Sequence, residues 1–305
     1  MTFDLQILGS GSATPIVGRH PTAQLLAAGD GRYLIDCGEG TQLRLLEHRR
    51  RFSTLRVVFI SHLHGDHYLG IFGLLSTMSL QGRLEPLLVV GPPGLEEMVT
   101  TIGLHSGMQP SYDITFRPID TEAHAVVYED AQVRVSSLPM RHRIPCSGYL
   151  FEEQPRRPRL LKEHLPAGLS GAELARLAQG HDLPADPATG RPAVMHAAVS
   201  VPAAAPRRYA FCSDTIYQPA LAELVRGVDL LYHEATFLEE LRDRAATTFH
   251  STARQAAELA RAAGVGRLLI GHFSSRYRQT ESHLQEAQAV FPATILATEG
   301  LEVAV

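Results

Sequence analysis

Short apolar runs rich in Val, Ile, Leu and Phe recur along the chain, and most stop at a cluster of Gly, Ser, Asp or His. Such runs predict strands, and stretches in which apolar positions return every three or four residues predict helices. Residues 3–8 alternate and then enter Gly9-Ser10-Gly11-Ser12-Ala13-Thr14-Pro15. That is a strand followed either by an ordinary glycine turn or by a loop whose bare backbone a ligand can approach. Strands at 23–26 and 33–36 turn at Gly29-Asp30-Gly31, and a helix spans 41 to about 48. A strand at 57–60, helices from 69 to about 80 and from 93 to about 102, and a strand at 87–90 make a βαβ alternation. Short alternating strands follow at 114–118, 125–128, 133–138 and 148–151. After an interruption come strands at 209–212 and from Leu230, a helical stretch from about 238, and an amphipathic helix at 253–263 capped by Ser251 or Thr252. The last strands are at 267–270, 294–297 and 301–305. Pattern alone predicts an α/β protein with one irregular half.

The interruption, residues 152–206, shifts in composition to Pro, Ala, Arg and Gly. It is expected to be an inserted, largely extended arm within a single domain of residues 1–305. Its one regular element is a short helix, 170–179, whose Ser170 and Glu173 fit a capping box. Arg156, Arg157, Arg159 and Lys162 make its first part basic, which suits a phosphate grip and a solvated loop equally. The 305-residue chain carries a net charge of -4, so nucleic-acid binding would have to come from a local basic patch or from bound metal. Lys162 is the single lysine; arginines suit bidentate phosphate contacts, though a compositional bias of the genome explains the skew as well. No apolar run approaches the ~20 residues of a membrane span, and Met1-Thr2-Phe3-Asp4 lacks a signal-peptide layout. Three scattered cysteines form neither a disulfide framework nor a CxxC pair. A cytoplasmic protein with reduced thiols is expected.

The apolar run 57–60 empties into Ser61-His62-Leu63-His64-Gly65-Asp66-His67. Neutral imidazoles and carboxylates are what zinc and similar divalent ions accept, at about 2.0 to 2.2 Å, so this cluster implies metal. One ion cannot take all four groups. His62 and His64 alternate along an extended chain and can face one ion, while Asp66 and His67, past a sharp turn expected at Gly65, can face a second. A strand delivering His or Asp at its end recurs at His142, Asp214, His233 and His272, and strand ends gathered at one sheet edge are where α/β proteins place their sites. Asp36 either supports a ligand histidine or serves its own loop or helix cap. His250 stands just before the helix at 253–263, where a substrate phosphate is favoured.

The series His62-x-His64-x-Asp66-His67, His142, Asp214 and His272 resembles the metal ligands of the metallo-β-lactamase superfamily in order and setting. Within it the chain is similar to the ribonuclease Z family, the tRNA 3′-processing endonucleases. That likeness runs through Gly9 to Pro15, Asp36-x-Gly38-Glu39-Gly40, Pro139 to Gly148, Ser213-Asp214-Thr215, His233 to Phe237, His250-Ser251-Thr252 and Gly271 to Tyr277. The resemblance implies an αββα sandwich with its metals at one edge, usually as a homodimer. It implies two zinc ions per subunit, the first held by His62, His64 and His142, the second by Asp66, His67 and His272, with Asp214 bridging; manganese suits the same donors. It further implies that Asp66 accepts a proton from the attacking water and that His250, supported by Glu234, helps the leaving oxygen depart. The expected reaction releases the 3′ trailer of precursor tRNA with a 5′-phosphate and leaves a 3′-hydroxyl on the tRNA. The family's tRNA-binding arm is typically Gly-Pro-rich and lysine-bearing. Residues 152–206 depart from that pattern, and tRNA contact is expected from Arg156, Arg157, Arg159 and Lys162. Two rival expectations remain: a phosphodiesterase or other hydrolase of the superfamily acting on a small molecule, and a metal-stabilised binding protein without turnover.

Overall fold

The computed structural model describes residues 2–305. The first half supplies β1 (Phe3–Gly9), β2 (Ala23–Ala28), β3 (Gly31–Ile35), β4 (Leu55–Phe59), β5 (Leu87–Gly91), β6 (Ile114–Pro118), β7 (Val126–Glu129), β8 (Val133–Pro139) and β9 (Ser147–Glu153). The insertion carries β10 (Arg159–Leu160) and β11 (Ser200–Val201), and the remainder β12 (Arg208–Cys212), β13 (Leu230–Glu234), β14 (Arg267–Gly271), β15 (Thr294–Leu296) and β16 (Glu302–Ala304). The helices are α1 (Thr41–Glu47), α2 (Gly65–Tyr68), α3 (Ile71–Leu80), α4 (Leu95–Ser106), α5 (Gly171–Ala178), α6 (Leu221–Leu224), α7 (Arg242–Thr248), α8 (Ala253–Ala263) and α9 (Glu281–Gln288). One sheet runs β16-β1-β2-β3-β4-β5-β6 and the other β15-β14-β13-β12-β9-β8-β7.

Side-chain alternation explains the layers. Phe3, Leu5 and Ile7 of β1 and Val57 and Phe59 of β4 share one buried cluster with Val133 and Val135, Tyr149 and Phe151, Tyr209 and Phe211, and Leu230 and Tyr232 from the other sheet. Phe59 meets Phe151 edge to face at 5.3 Å, and Phe211 stacks on Tyr232 at 5.0 Å. The intervening residues are apolar too. Leu34, Val58 and Val89 pack with Leu45 of α1, Leu74 of α3 and Val99 of α4. On the other side Ala210, Leu231 and Leu268 pack with Leu221 of α6, Leu259 of α8 and Ala287 of α9. Strands covered on both faces must be apolar at nearly every position, which is why 57–60 shows no alternation. The result is the αββα sandwich, with β3 to β6 and β12 to β15 parallel.

The helix expected over 69–80 is present as α3 and is preceded by the short α2. α2 and α3 part at Gly70, where a Cβ would lie 2.0 Å from the Gly38 carbonyl oxygen and 2.8 Å from that of Cys37. Gly70 N–H donates to the Cys37 carbonyl at 2.9 Å, which ties α2 to the segment just after Asp36. Gly70→Ala is expected to destabilise the protein by about 3 kcal/mol, because backbone cannot yield to the new methyl; a lowered urea midpoint measures it. Gly65 does not make the sharp turn expected of it. It begins α2 after an extended His64 (φ -77°, ψ 144°) and is absent from the left-handed glycines.

Residues 154–206 form one compact unit and the rest of the chain another. The insertion is not extended: Leu177, Leu183, Val194 and Val199 are buried together, with Leu160, Leu165 and Leu169 packed on them. Ser170 caps α5 with Glu173 in a reciprocal capping box. Leu183 pairs with Val194 and Asp186 with Arg191 around a tight turn, and Arg191 reaches Glu173 at 2.6 Å. In the larger unit, Glu153 and Arg207 flank the insertion and form a two-pronged ion pair, both contacts 3.0 Å.

Candidate metal centre

Strand ends deliver the site. Asp36 follows β3, His62 and His64 follow β4, Asp214 follows β12, Glu234 ends β13 and His272 follows β14; His142 lies in the loop joining β8 to β9, and α2 carries Asp66 and His67. The backbone contortion expected at Gly65 is carried instead by Asp36, Asp214 and His272, all left-handed with φ of 57°, 56° and 59°. Each costs on the order of 1 kcal/mol, a strain that folded proteins keep where a side chain must be aimed.

Two sets of donors converge. His62 Nε2 and His142 Nε2 lie 3.0 and 3.1 Å from His64 Nδ1, and 3.7 and 3.8 Å from Asp214 Oδ2. His67 Nε2 and His272 Nε2 lie 3.3 and 3.4 Å from Asp66 Oδ2, and 3.3 and 3.1 Å from Asp214 Oδ1. Donors about 2.1 Å from a tetrahedral ion stand about 3.4 Å from one another, so both sets have the spacing a divalent metal imposes. His67 Nε2 and His272 Nε2 are buried without any hydrogen-bond partner, as nitrogens reserved for a metal would be. Among the described residues no arginine or lysine forms an ion pair with Asp36, Asp66, Asp214 or Glu234, all buried. Buried carboxylates whose ion-pair partners are all imidazoles fit a cation between them. The chemistry and spacing of the donors therefore fit a dinuclear metal site sharing Asp214. His250 also lies within reach of Asp214 and His272, as part of a third donor group.

The far sides of the imidazoles are held as well. His67 Nδ1 donates to Asp36 Oδ2 at 2.6 Å, and Asp36 also accepts from Ser61 N and Oγ at 2.8 and 2.9 Å. Ser61 Oγ lies 3.0 Å from His62 Nδ1, the Phe249 carbonyl accepts from His142 Nδ1 at 3.1 Å, and Thr236 Oγ1 lies 2.9 Å from His272 Nδ1. Such partners fix tautomer and ring direction. Asp36→Asn is expected to weaken metal affinity by about 10- to 100-fold, read by titration against a chromogenic chelator. His233 does not join the cluster: its Nδ1 donates to the Glu234 carbonyl at 2.7 Å, and it is absent from every donor group found. Neighbours on a strand face opposite ways, so Glu234 takes its place.

Burial keeps His62, His64 and His142 below the usual histidine range, hence neutral and able to donate a lone pair. Burial works against charge on Asp214 as well, but His272, His67 and His62 hold its carboxyl well below the ordinary range. At His67 burial is outweighed by Asp214, Asp66 and Asp36, which push it well above; a proton there and a metal ion answer the same negative charge. His250 is half-buried, and although burial opposes its charged form, Glu234 Oε1 at 2.9 Å from Nδ1 raises it to about 9. Glu234 is itself fixed by Thr215 N–H at 2.8 Å and Thr236 Oγ1 at 2.5 Å.

A cavity of about 290 Å³ opens over the cluster. Ser12, Ala13 and Thr14 form one wall, and Arg143, Arg244, Thr248, His250, Ser275 and Arg276 complete the rim, so the glycine-rich loop after β1 does border a site. Ser61, Thr236, Phe249, Arg143 and Arg244 escaped sequence reasoning as separate contributors. Only adjacency to a ligand flagged Ser61 and Arg143, and nothing marked a backbone carbonyl or a helix-borne arginine.

The architecture is shared with solved proteins. The metallo-β-lactamase fold protein YhfI from Bacillus subtilis superposes with a TM-score of 0.69 at 16% identity, covering 100% of both chains, and human tRNase Z, short form, with 0.72 at 24% identity, covering 99% of both. The fold is thus that of the metallo-β-lactamases. The profile of a family described as Anti-Pycsar protein Apyc1 matches residues 3–151. The protein named Ribonuclease Z of Porphyromonas gingivalis (strain W83) is 45% identical over 302 residues, 99% of this chain and 98% of its own. The chain belongs to the ribonuclease Z family.

Proposed function

We propose that the protein is a zinc-dependent endoribonuclease that hydrolyses precursor tRNA at its 3′ side, leaving a 3′-hydroxyl on the tRNA and a 5′-phosphate on the trailer. The observation that carries this is a pair of donor sets sharing Asp214 beneath one cavity, in a chain similar end to end to a protein named Ribonuclease Z. His62, His64 and His142 would hold one ion, Asp66, His67 and His272 the other, and Asp214 both. Two divalent ions so bound would supply an activated water and offset charge developing on the phosphate; zinc is proposed, and manganese suits the same donors.

The chain's own residues move the protons. Asp66 takes a proton from the attacking water. As the bond from phosphorus to the tRNA 3′-oxygen breaks, that oxygen takes a proton from His250. Glu234 occupies His250 Nδ1, which leaves Nε2 to carry the transferred proton. In the insertion, Arg157, Arg159 and Lys162 are exposed and Arg156 is half-buried, and these four are proposed to contact the tRNA. The substrate implies work in the cytoplasm. Cleavage-site mapping on precursor tRNAs with and without an encoded CCA tests the proposal: a cut at the 3′ side is expected, and hydrolysis of bis(p-nitrophenyl) phosphate with no cut in any precursor would favour a small-molecule phosphodiesterase.

A homodimer belongs to the same proposal. Leu43 and Leu46 on α1, with Leu80 and Leu84 at and beyond the end of α3, are 57, 47, 87 and 77% exposed, an apolar content that suits a second copy better than water. Sedimentation as a dimer of the 33.3 kDa chain is expected; a monomer at micromolar concentration would remove this part.

A further inference from the structure

Arg143 and Arg244 border the cavity without belonging to either donor set. Arg143 follows His142, whose Nδ1 is bonded to the Phe249 carbonyl just past α7. Arg244 lies on α7, and one turn later Thr248, which donates to the Arg244 carbonyl at 2.8 Å, borders the cavity too. One contact thus joins two segments that each contribute an arginine to the cavity lining shared with His250. Both arginines are exposed, and neither has a carboxylate partner among the ion pairs of the described residues. Their neighbours are used differently: Arg242 pairs with Glu239 at 3.0 Å and Arg254 with Glu258 at 3.3 Å. Among the described residues the only carboxylates lining the cavity are Asp66 and Asp214, on the floor among the imidazoles. The rim is therefore cationic although the chain is acidic overall, with a net charge of -4.

Resting on the proposed RNA substrate, we infer that Arg143 and Arg244 are specificity-determining residues that grip phosphates flanking the scissile one. A planar guanidinium presents paired donors to a phosphate, which suits a strand that must lie in one register. A diester with a single phosphate gives them nothing further to hold once that phosphate is at the donors below. The pair would thus favour a polynucleotide over a small diester.

Steady-state kinetics of Arg143→Gln, Arg244→Gln and the double variant, on precursor tRNA from low to high KCl and on bis(p-nitrophenyl) phosphate, tests this. For each substitution KM for precursor tRNA is expected to rise about tenfold with kcat changed far less, and the slope of log kcat/KM against log salt to become shallower by about 0.7. Loss on the small diester should be at least several-fold smaller than on RNA. Arg143→Lys and Arg244→Lys, which keep the charge, should restore the salt slope while recovering only part of the KM. Metal content and circular dichroism matching wild type exclude a folding defect. Equal losses on both substrates, or an unchanged salt slope, would overturn the inference. A wild-type enzyme that leaves precursor tRNA uncut would instead overturn the substrate proposal beneath it, whereas cleavage by wild type and variants alike would overturn this inference alone.

Discussion

Asp214→Asn is expected to strip metal from both halves of the site and to slow precursor cleavage by about three orders of magnitude. Metal chemistry supplies several kcal/mol of transition-state stabilisation, and each 1.36 kcal/mol is about a factor of ten. The special weight of Asp214 is geometric: Oδ2 faces His62 and His142 while Oδ1 faces His67 and His272. An amide offers one uncharged oxygen, so at best one set is served. His64→Ala, which touches a single set, should remove less metal. Metal per chain by mass spectrometry, with turnover on precursor tRNA, measures both, and full occupancy with normal turnover in Asp214→Asn would overturn the assignment of the donors.

His250→Ala is expected to do the opposite, leaving metal at wild-type levels while kcat falls by about 10²- to 10⁴-fold. His250 Nδ1 is taken by Glu234 at 2.9 Å and lies 4.0 Å from Asp214 Oδ2, farther than the 3.7 and 3.8 Å at which His62 and His142 stand from that oxygen. This supports the proposed role of His250 as a proton donor beside the metals. The same ring nonetheless belongs to a donor group with Asp214 and His272, so the experiment has a sharp alternative: loss of metal in this variant would make His250 a ligand.

Much of this was visible in the amino-acid order because the fold places chemistry where strands stop. A run such as 57–60 has to be apolar on both faces, so an abrupt change to His62-Leu63-His64 marks the sheet edge. Direction was harder. His233 and Glu234 are consecutive, only one can turn toward His250, and periodicity does not say which. The bends at Asp36, Asp214 and His272 were hidden because polar residues adopt the left-handed conformation without advertising it as glycine does. Gly70 passed without notice for the converse reason, since its need is space against Gly38 rather than freedom of φ. The compact insertion was missed because Leu177, Leu183, Val194 and Val199 are too sparse among Pro and Ala to set up any period, and they meet only through a turn.

The donor sets have one more consequence. His62, His64, Asp66 and His67 all follow β4 of one sheet, whereas His142, Asp214 and His272 come from the other. Neither donor set can be completed by one sheet alone, so each cation would act as a rivet through the seam between the halves of the sandwich. Occupancy is then also a fastening of the architecture: at free metal 1,000 times the dissociation constant each ion would add about 4 kcal/mol against separation of the layers. A cell that starves the protein of metal would lose cohesion together with cleavage.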